Sequence, residues 1–180
     1  MSEEIKIIKR VLNGDVDSFR GLVDRYHRPV TSMIANMVGN RHTCEDIAQD
    51  VFFAAYRKLD TFDPARSEFS TWLFTIARNR SINAIRKKTP FTTPDPIETA
   101  DSNGPAENLG RKEAFKLLDR AIEALPRRFK TVFVMAELDN MPYHQIAQIE
   151  GISTGTVKSR VHRARKKLAA ALAEYKGDFQ

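Results

Sequence analysis

The stretch Tyr143-His-Gln-Ile-Ala-Gln-Ile-Glu-Gly-Ile-Ser-Thr-Gly-Thr-Val-Lys-Ser-Arg-Val-His-Arg-Ala-Arg165 reads as two helices around a tight turn. A small residue, Ala147, stands where the two helices must approach closely. Gly151 follows at the turn, and Val157 returns the chain to the core. Ser153 or Thr154 can cap the second helix by offering a side-chain oxygen to the unpaired N–H groups of its first turn. On that helix Val157, Val161, Ala164, Leu168 and Leu172 share one stripe. Thr156, Lys158, Ser159, Arg160 and Arg163 fall largely outside it. Hydroxyls and arginines near the N-terminal half of such a helix suit base edges and phosphates in a major groove. Arg165, Lys166 and Lys167 lie further along and suit phosphates. Charge alone would describe a solvated basic helix. The Ala, Gly and Val spacing adds a helix-turn-helix, and with it DNA binding.

Working outward, Phe115, Leu118, Ile122 and Leu125 mark a helix ended by Pro126, and Phe129, Val132, Phe133 and Ala136 mark another ending near Asp139-Asn140. A short helix from Pro142 to Glu150 leads into the long one from Thr154. Before them, residues 89–110 hold four of the eight prolines and four acids without one base. That is the composition of a flexible acidic linker. It separates a first domain, 1–88, from a second, 111–180.

In the first domain Ile5, Ile8 and Leu12 suggest a short helix stopping at Gly14. Phe19, Leu22, Val23 and Tyr26 recur at helical spacing. Pro29 fits a helix first turn, with Val30, Met33, Ile34, Met37 and Val38 as a second apolar stripe. Thr43 with Asp46 reads as a capping pair for a helix reaching about Leu59. Asp63-Pro-Ala-Arg-Ser67 is a loop, and a further helix runs from about Thr71 to Lys88. The expected fold is therefore all-α: two small helical domains, the second containing a helix-turn-helix.

Charge is distributed unevenly. The chain of 180 residues carries a formal net charge of +6, which favours a polyanionic partner. Ile76 to Lys88 holds five Lys/Arg and no acid, and Gly155 to Leu168 holds six and no acid. Glu45 to Asp63 carries five acids against Arg57 and Lys58. On the acidic helix Ala48, Val51, Phe52, Ala55 and Leu59 read as core. Asp46, Gln49, Asp50, Phe53 and Arg57 share another face. Two readings fit that face: a protein-docking surface with an aromatic anchor, or solvated charge with Phe53 half-buried. The next helix carries Trp72, Thr75, Asn79, Asn83 and Arg86 on one side, with Leu73, Ile76, Ala77 and Ala84 inward. Rings at Phe62, Phe69, Trp72 and Phe74 beside amides and bases suit unpaired nucleotides; at least two of these rings read as core.

Asp46-Ile-Ala-Gln-Asp-Val-Phe52, Phe69-Ser-Thr-Trp-Leu-Phe-Thr-Ile-Ala-Arg-Asn79, Leu125-Pro126 and Gly155-Thr-Val-Lys-Ser-Arg-Val-His-Arg-Ala-Arg165 together resemble the extracytoplasmic-function (ECF) sigma factors of bacterial RNA polymerase. The likeness covers nearly the whole chain, in order. It implies that 1–88 is a region 2 domain and 111–180 a region 4 domain. By match, Asp46, Gln49 and Asp50, with Phe53 beside them, would dock on the β′ clamp helices of core RNA polymerase. Phe62, the loop 63–70, Trp72 and Asn79, followed by Asn83 and Arg86, would capture the −10 promoter element and an extruded base, whose unstacking costs a few kcal/mol. Lys158, Ser159, Arg160 and Arg163, with Thr156, would read the −35 element. The β flap and an anti-sigma factor are further partners the resemblance implies. The proline-containing loop 63–66 departs from some members, so no promoter sequence is carried over.

No glycine-rich phosphate loop, nucleophile with a partner or metal-ligand cluster is present in the sequence, so neither catalysis nor a cofactor is expected. His42 and Cys44 make a poor metal site. A single cysteine fits a reducing cytoplasm, and no apolar run approaches the ~20 residues of a membrane span. The competing readings are a stand-alone helix-turn-helix regulator and, from Glu45, Asp46 and Asp50, a metal-dependent nuclease.

Overall fold

The computed structural model describes residues 2–38, 41–88 and 107–177, which form helices and the turns between them and contain no strand. They fall into two compact units, the first holding the helices that precede residue 89 and the second most of the helical residues from 107 on.

The first unit begins with α1 (Glu3–Leu12), where Ser2 Oγ accepts the Ile5 N–H at 3.4 Å. Glu3 and Glu4 in its first turn and Lys9 and Arg10 in its last complement the helix dipole. Gly14, at φ +99°, turns the chain where a side chain would be strained. Asp15 fixes the corner: its carboxylate accepts from Arg10 Nη2 at 2.7 Å and Ser18 Oγ at 2.8 Å. Those bonds, Ser18 foremost, hold its carboxyl below the usual carboxylate range.

Helix α2 (Phe19–Val38) runs unbroken through Pro29, so the expected second start there is not a start. Leu22, Val30, Met33, Ile34 and Met37 are buried in one phase across the proline. Packing of that continuous stripe outweighs the single backbone bond that proline removes. Thr31 Oγ1 donates to the His27 carbonyl at 2.7 Å beside it. Helix α3 (Arg41–Arg57) starts two residues before Thr43, which therefore lies within the helix rather than capping it. A 3-10 turn at Leu59–Thr61 leads to Phe62 and the loop. Helix α4 (Phe69–Lys88) begins two residues ahead of expectation. The core forms where α2, α3 and α4 meet, with Leu22, Met33, Ile34, Val51, Leu59 and Leu73 almost fully enclosed.

In the second unit α5 (Glu107–Glu123) opens inside the stretch read as linker; the rest of that stretch, 89–106, lies outside the described residues. Pro126 precedes α6 (Arg127–Phe133), its ring preset for a helix entry. Helix α6 then widens into a π turn at Val134–Leu138, closed by the Asp139 N–H on the Val134 carbonyl at 3.0 Å. Helix α7 (Tyr143–Glu150) ends at Gly151, φ +65°, and α8 (Thr154–Gly177) follows. The Ile152 N–H reaches the Ala147 carbonyl at 3.0 Å and the Gly151 N–H reaches Gln148 at 3.3 Å, a Schellman end. This is the helix-turn-helix expected from the opening stretch. Ala147, Val157, Val161, Ala164 and Leu168 are all buried.

Leu73, fully enclosed between α4 and its neighbours, gives a test of this core. Leu73→Ala lowers the unfolding free energy of the first unit by about 2–5 kcal/mol in urea titration. A loss under about 1 kcal/mol would show a site that collapses freely, unlike a packed core.

Candidate nucleic-acid interface

Three surfaces emerge from these helices. On α3 the buried residues Ala48, Val51, Phe52 and Ala55 leave Asp46, Gln49, Asp50 and Phe53 outward, all exposed. Phe53 is 62% exposed rather than half-buried, with the Arg57 guanidinium 5.7 Å from its ring centre. Phe53 is thus uncovered on the same helix face as Asp46 and Asp50. At its margin Asp50 Oδ2 lies 3.8 Å from Arg80 Nη1 on α4, a pair exposed enough to contribute little to stability.

The second surface lies on α4 and the loop before it. Phe69 and Phe74 are buried, so two of the four rings are core, as expected. Phe62 and Trp72 are half-buried, with ring centres 5.6 Å apart and planes tilted by 57°. Phe69 sits under both, 5.6 Å from Phe62 and 5.7 Å from Trp72. Between the two phenylalanines, Asp63 folds the loop: its Oδ1 accepts the Ala65 N–H at 2.9 Å and its carbonyl the Arg66 N–H at 3.1 Å. Asn79, Asn83 and Arg86 continue outward along α4, all exposed. The Asn79 Oδ1 accepts from Arg78 Nη1 at 2.9 Å. Thr75 is half-buried, and its hydroxyl donates to the Thr71 carbonyl at 2.8 Å.

Helical period marks Tyr26 as apolar stripe but not its contacts with the ring cluster and Glu4. Tyr26 on α2 packs edge-on to Phe69 with ring centres 5.5 Å apart and donates its hydroxyl to the Glu4 carboxylate. Burial, reinforced by that hydrogen bond, holds the phenol well above its ordinary value. Arg25 Nη1 approaches the same carboxylate at 3.5 Å.

The third surface is the outer side of α8. Lys158, Ser159 and Arg163 are exposed, and Thr156 and Arg160 are half-buried at the edge of the packed stripe. The Thr156 N–H donates to Ser153 Oγ at 3.1 Å, and the two hydroxyls lie 2.9 Å apart. Ser153, not Thr154, is therefore the cap. Ser159 Oγ donates to the Thr156 carbonyl at 3.0 Å, leaving its lone pairs outward. Arg165 also holds a contact within the unit. Its Nη2 bonds both Glu137 oxygens, at 2.8 and 2.9 Å, which raises its pKa further and commits one edge of the guanidinium to the π turn. Lys166 and Lys167 remain exposed alongside.

Among the described residues no group of His, Cys, Asp or Glu has the geometry of a metal site. None of the described helices is long and apolar enough to cross a membrane. Two all-helical units, one bearing rings beside amides and the other a basic helix-turn-helix, define a class of DNA-binding transcription protein. Comparison with known proteins narrows it. The family models for Sigma-70 region 2 and Sigma-70 region 4 match residues 22–90 and 115–168. The chain is 37% identical to the ECF RNA polymerase sigma factor SigW of Bacillus subtilis, over 94% of this chain and 96% of that protein. It is 34% identical to the ECF RNA polymerase sigma-E factor of Escherichia coli, over 93% and 95%. Among solved structures, CnrH, in complex with the cytosolic domain of CnrY, superposes with TM-score 0.70 at 24% identity, covering 93% of this chain and 96% of that one. The chain belongs to the ECF RNA polymerase sigma factors.

Ser153→Ala removes the side-chain cap of α8 and lowers the stability of the second unit by about 1 kcal/mol, measured from its thermal unfolding by circular dichroism. Unchanged unfolding would mean that the backbone turn alone closes this helix end.

Proposed function

We propose that this sigma factor divides promoter recognition among the three surfaces described. The outer side of α8 reads duplex DNA at the −35 element through Lys158, Ser159, Arg160 and Arg163, with Thr156 at the helix entry. Phe62, Trp72, Asn79, Asn83 and Arg86 receive the unpaired −10 strand. Asp46, Gln49, Asp50 and Phe53 dock on the β′ clamp helices of core RNA polymerase, and the second unit meets the β flap. The observation that carries this reading is the half-buried Phe62–Trp72 pair, which leads along α4 to exposed amides and Arg86. Stacking surfaces, amide donors and positive charge are what melted strand requires, and duplex readers have little use for rings.

Catalysis then belongs to polymerase, and this chain works in the cytoplasm as a non-enzymatic specificity subunit without a cofactor. The sigma factor RpoE of Bartonella quintana, which shares this fold at 24% identity with TM-score 0.70, was solved in complex with the anti-sigma factor NepR. An anti-sigma factor is accordingly proposed as a partner here.

Run-off transcription with purified core polymerase tests the whole reading. A promoter-specific transcript that requires both components is expected. Duplex binding at a two-fold symmetric site without polymerase, and no transcript with it, would instead indicate a stand-alone regulator. Arg163→Ala weakens −35-dependent initiation by about 1–3 kcal/mol where it makes a base contact; unchanged initiation would mark it as a solvated charge. Asp50→Lys reduces core affinity while leaving DNA binding by the second unit intact. Normal core affinity in that variant removes Asp50 from the docking face.

A further inference from the structure

The −10 surface rests on a chain of contacts that begins outside it. Glu4 stands in the first turn of α1, ahead of the residues matched by the region 2 family. Its side chain is only 19% exposed, and its carboxylate takes the Tyr26 hydroxyl. Tyr26 is itself half-buried, and its ring lies edge-on to Phe69 at 61°. Phe69 is the first residue of α4 and 2% exposed, and both Phe62 and Trp72 lean on it. Phe62 and Phe69 also bracket the loop 63–68. One hydrogen bond between α1 and α2 thus bears on both ends of that loop and on the two half-buried rings.

We propose that the Glu4–Tyr26 hydrogen bond is a positioning element for promoter opening, holding Tyr26 against Phe69 so that Phe62 and Trp72 are preset to receive unpaired bases. Preset geometry matters here because an extruded base must be caught as it leaves the stack, and each ring ordered only on contact subtracts from the energy of capture. Tyr26 and Glu4 touch no nucleotide in this scheme. They act through Phe69. The inference rests on the proposed −10 role of Phe62 and Trp72 and adds to it the residues that fix their geometry.

The experiment uses the full chain with core polymerase and a promoter carrying 2-aminopurine in the −10 element, whose fluorescence reports unstacking. Tyr26→Phe removes the donor and Glu4→Ala the acceptor. Glu4→Gln keeps an acceptor oxygen while removing the charge. Trp72 is the single tryptophan of the chain, so its emission reads the ring cluster directly in the free protein. Expected are a shifted Trp72 emission and an opening equilibrium reduced about fivefold in Tyr26→Phe and Glu4→Ala, the loss of one net hydrogen bond. Glu4→Gln restores both, and core affinity stays as in the parent chain. Wild-type opening in Tyr26→Phe, with opening lost in Trp72→Ala, would overturn the positioning role and leave the −10 surface standing. Normal opening in Trp72→Ala as well would overturn the −10 reading itself, and the proposal with it. Opening lost in step with folded fraction or core affinity would reduce the bond to a structural one and overturn the proposal.

Discussion

The packing of α2, α3 and α4 on one another is the constraint from which the rest of the first unit follows. Each helix has one stripe to bury, and Leu22, Met33, Ile34, Val51 and Leu73 fill the space between them with almost no exposure. A stripe so committed fixes the rotation of its helix. Once Val51 and Ala55 face inward, Asp50 and Phe53 must face out. Once Leu73 and Ala77 face inward, Trp72 sits at the margin and Asn79, Asn83 and Arg86 stand in solvent. The surfaces are therefore consequences of the core. A small helical bundle can offer distinct chemistries on adjacent helices because the core holds those helices in register.

The same reasoning explains what could be read along the chain. The helix-turn-helix was legible because its signals are local: a glycine whose φ is +65°, a small residue at a crossing and a serine at a cap lie within a dozen positions. Helical period likewise separated the inner and outer faces of α3 and α8, and on α4 it set Leu73 and Ala77 inward and Asn79, Asn83 and Arg86 outward, while Ile76 and Ala84, read as inward, are half-buried. Pro29 was misread because a local rule competed with a stripe that continues in phase on both sides of it, and tertiary packing won. Thr43 was misread for a related reason: α3 had already begun at Arg41, so the capping pattern fell on helix interior. The Glu4–Tyr26 bond joins residues 22 positions apart. No periodicity reports such a pair. The hold of Glu137 on Arg165 spans 28 positions and passes through a π turn that leaves no compositional mark.

The charges of the first unit are segregated by helix. Acids on α3 face away from the bundle beside an exposed phenylalanine, while α4 carries bases and amides. Where the faces adjoin, Asp50 and Arg80 approach to 3.8 Å. Charges this exposed are screened over about 8–10 Å at physiological salt. The acidic face can therefore meet a basic partner without cancelling the attraction of α4 for phosphate further along the helix. A fully mixed surface would present both partners with attraction and repulsion at once. Segregation by helix avoids this, and Asp50 and Arg80 mark the seam between the two faces.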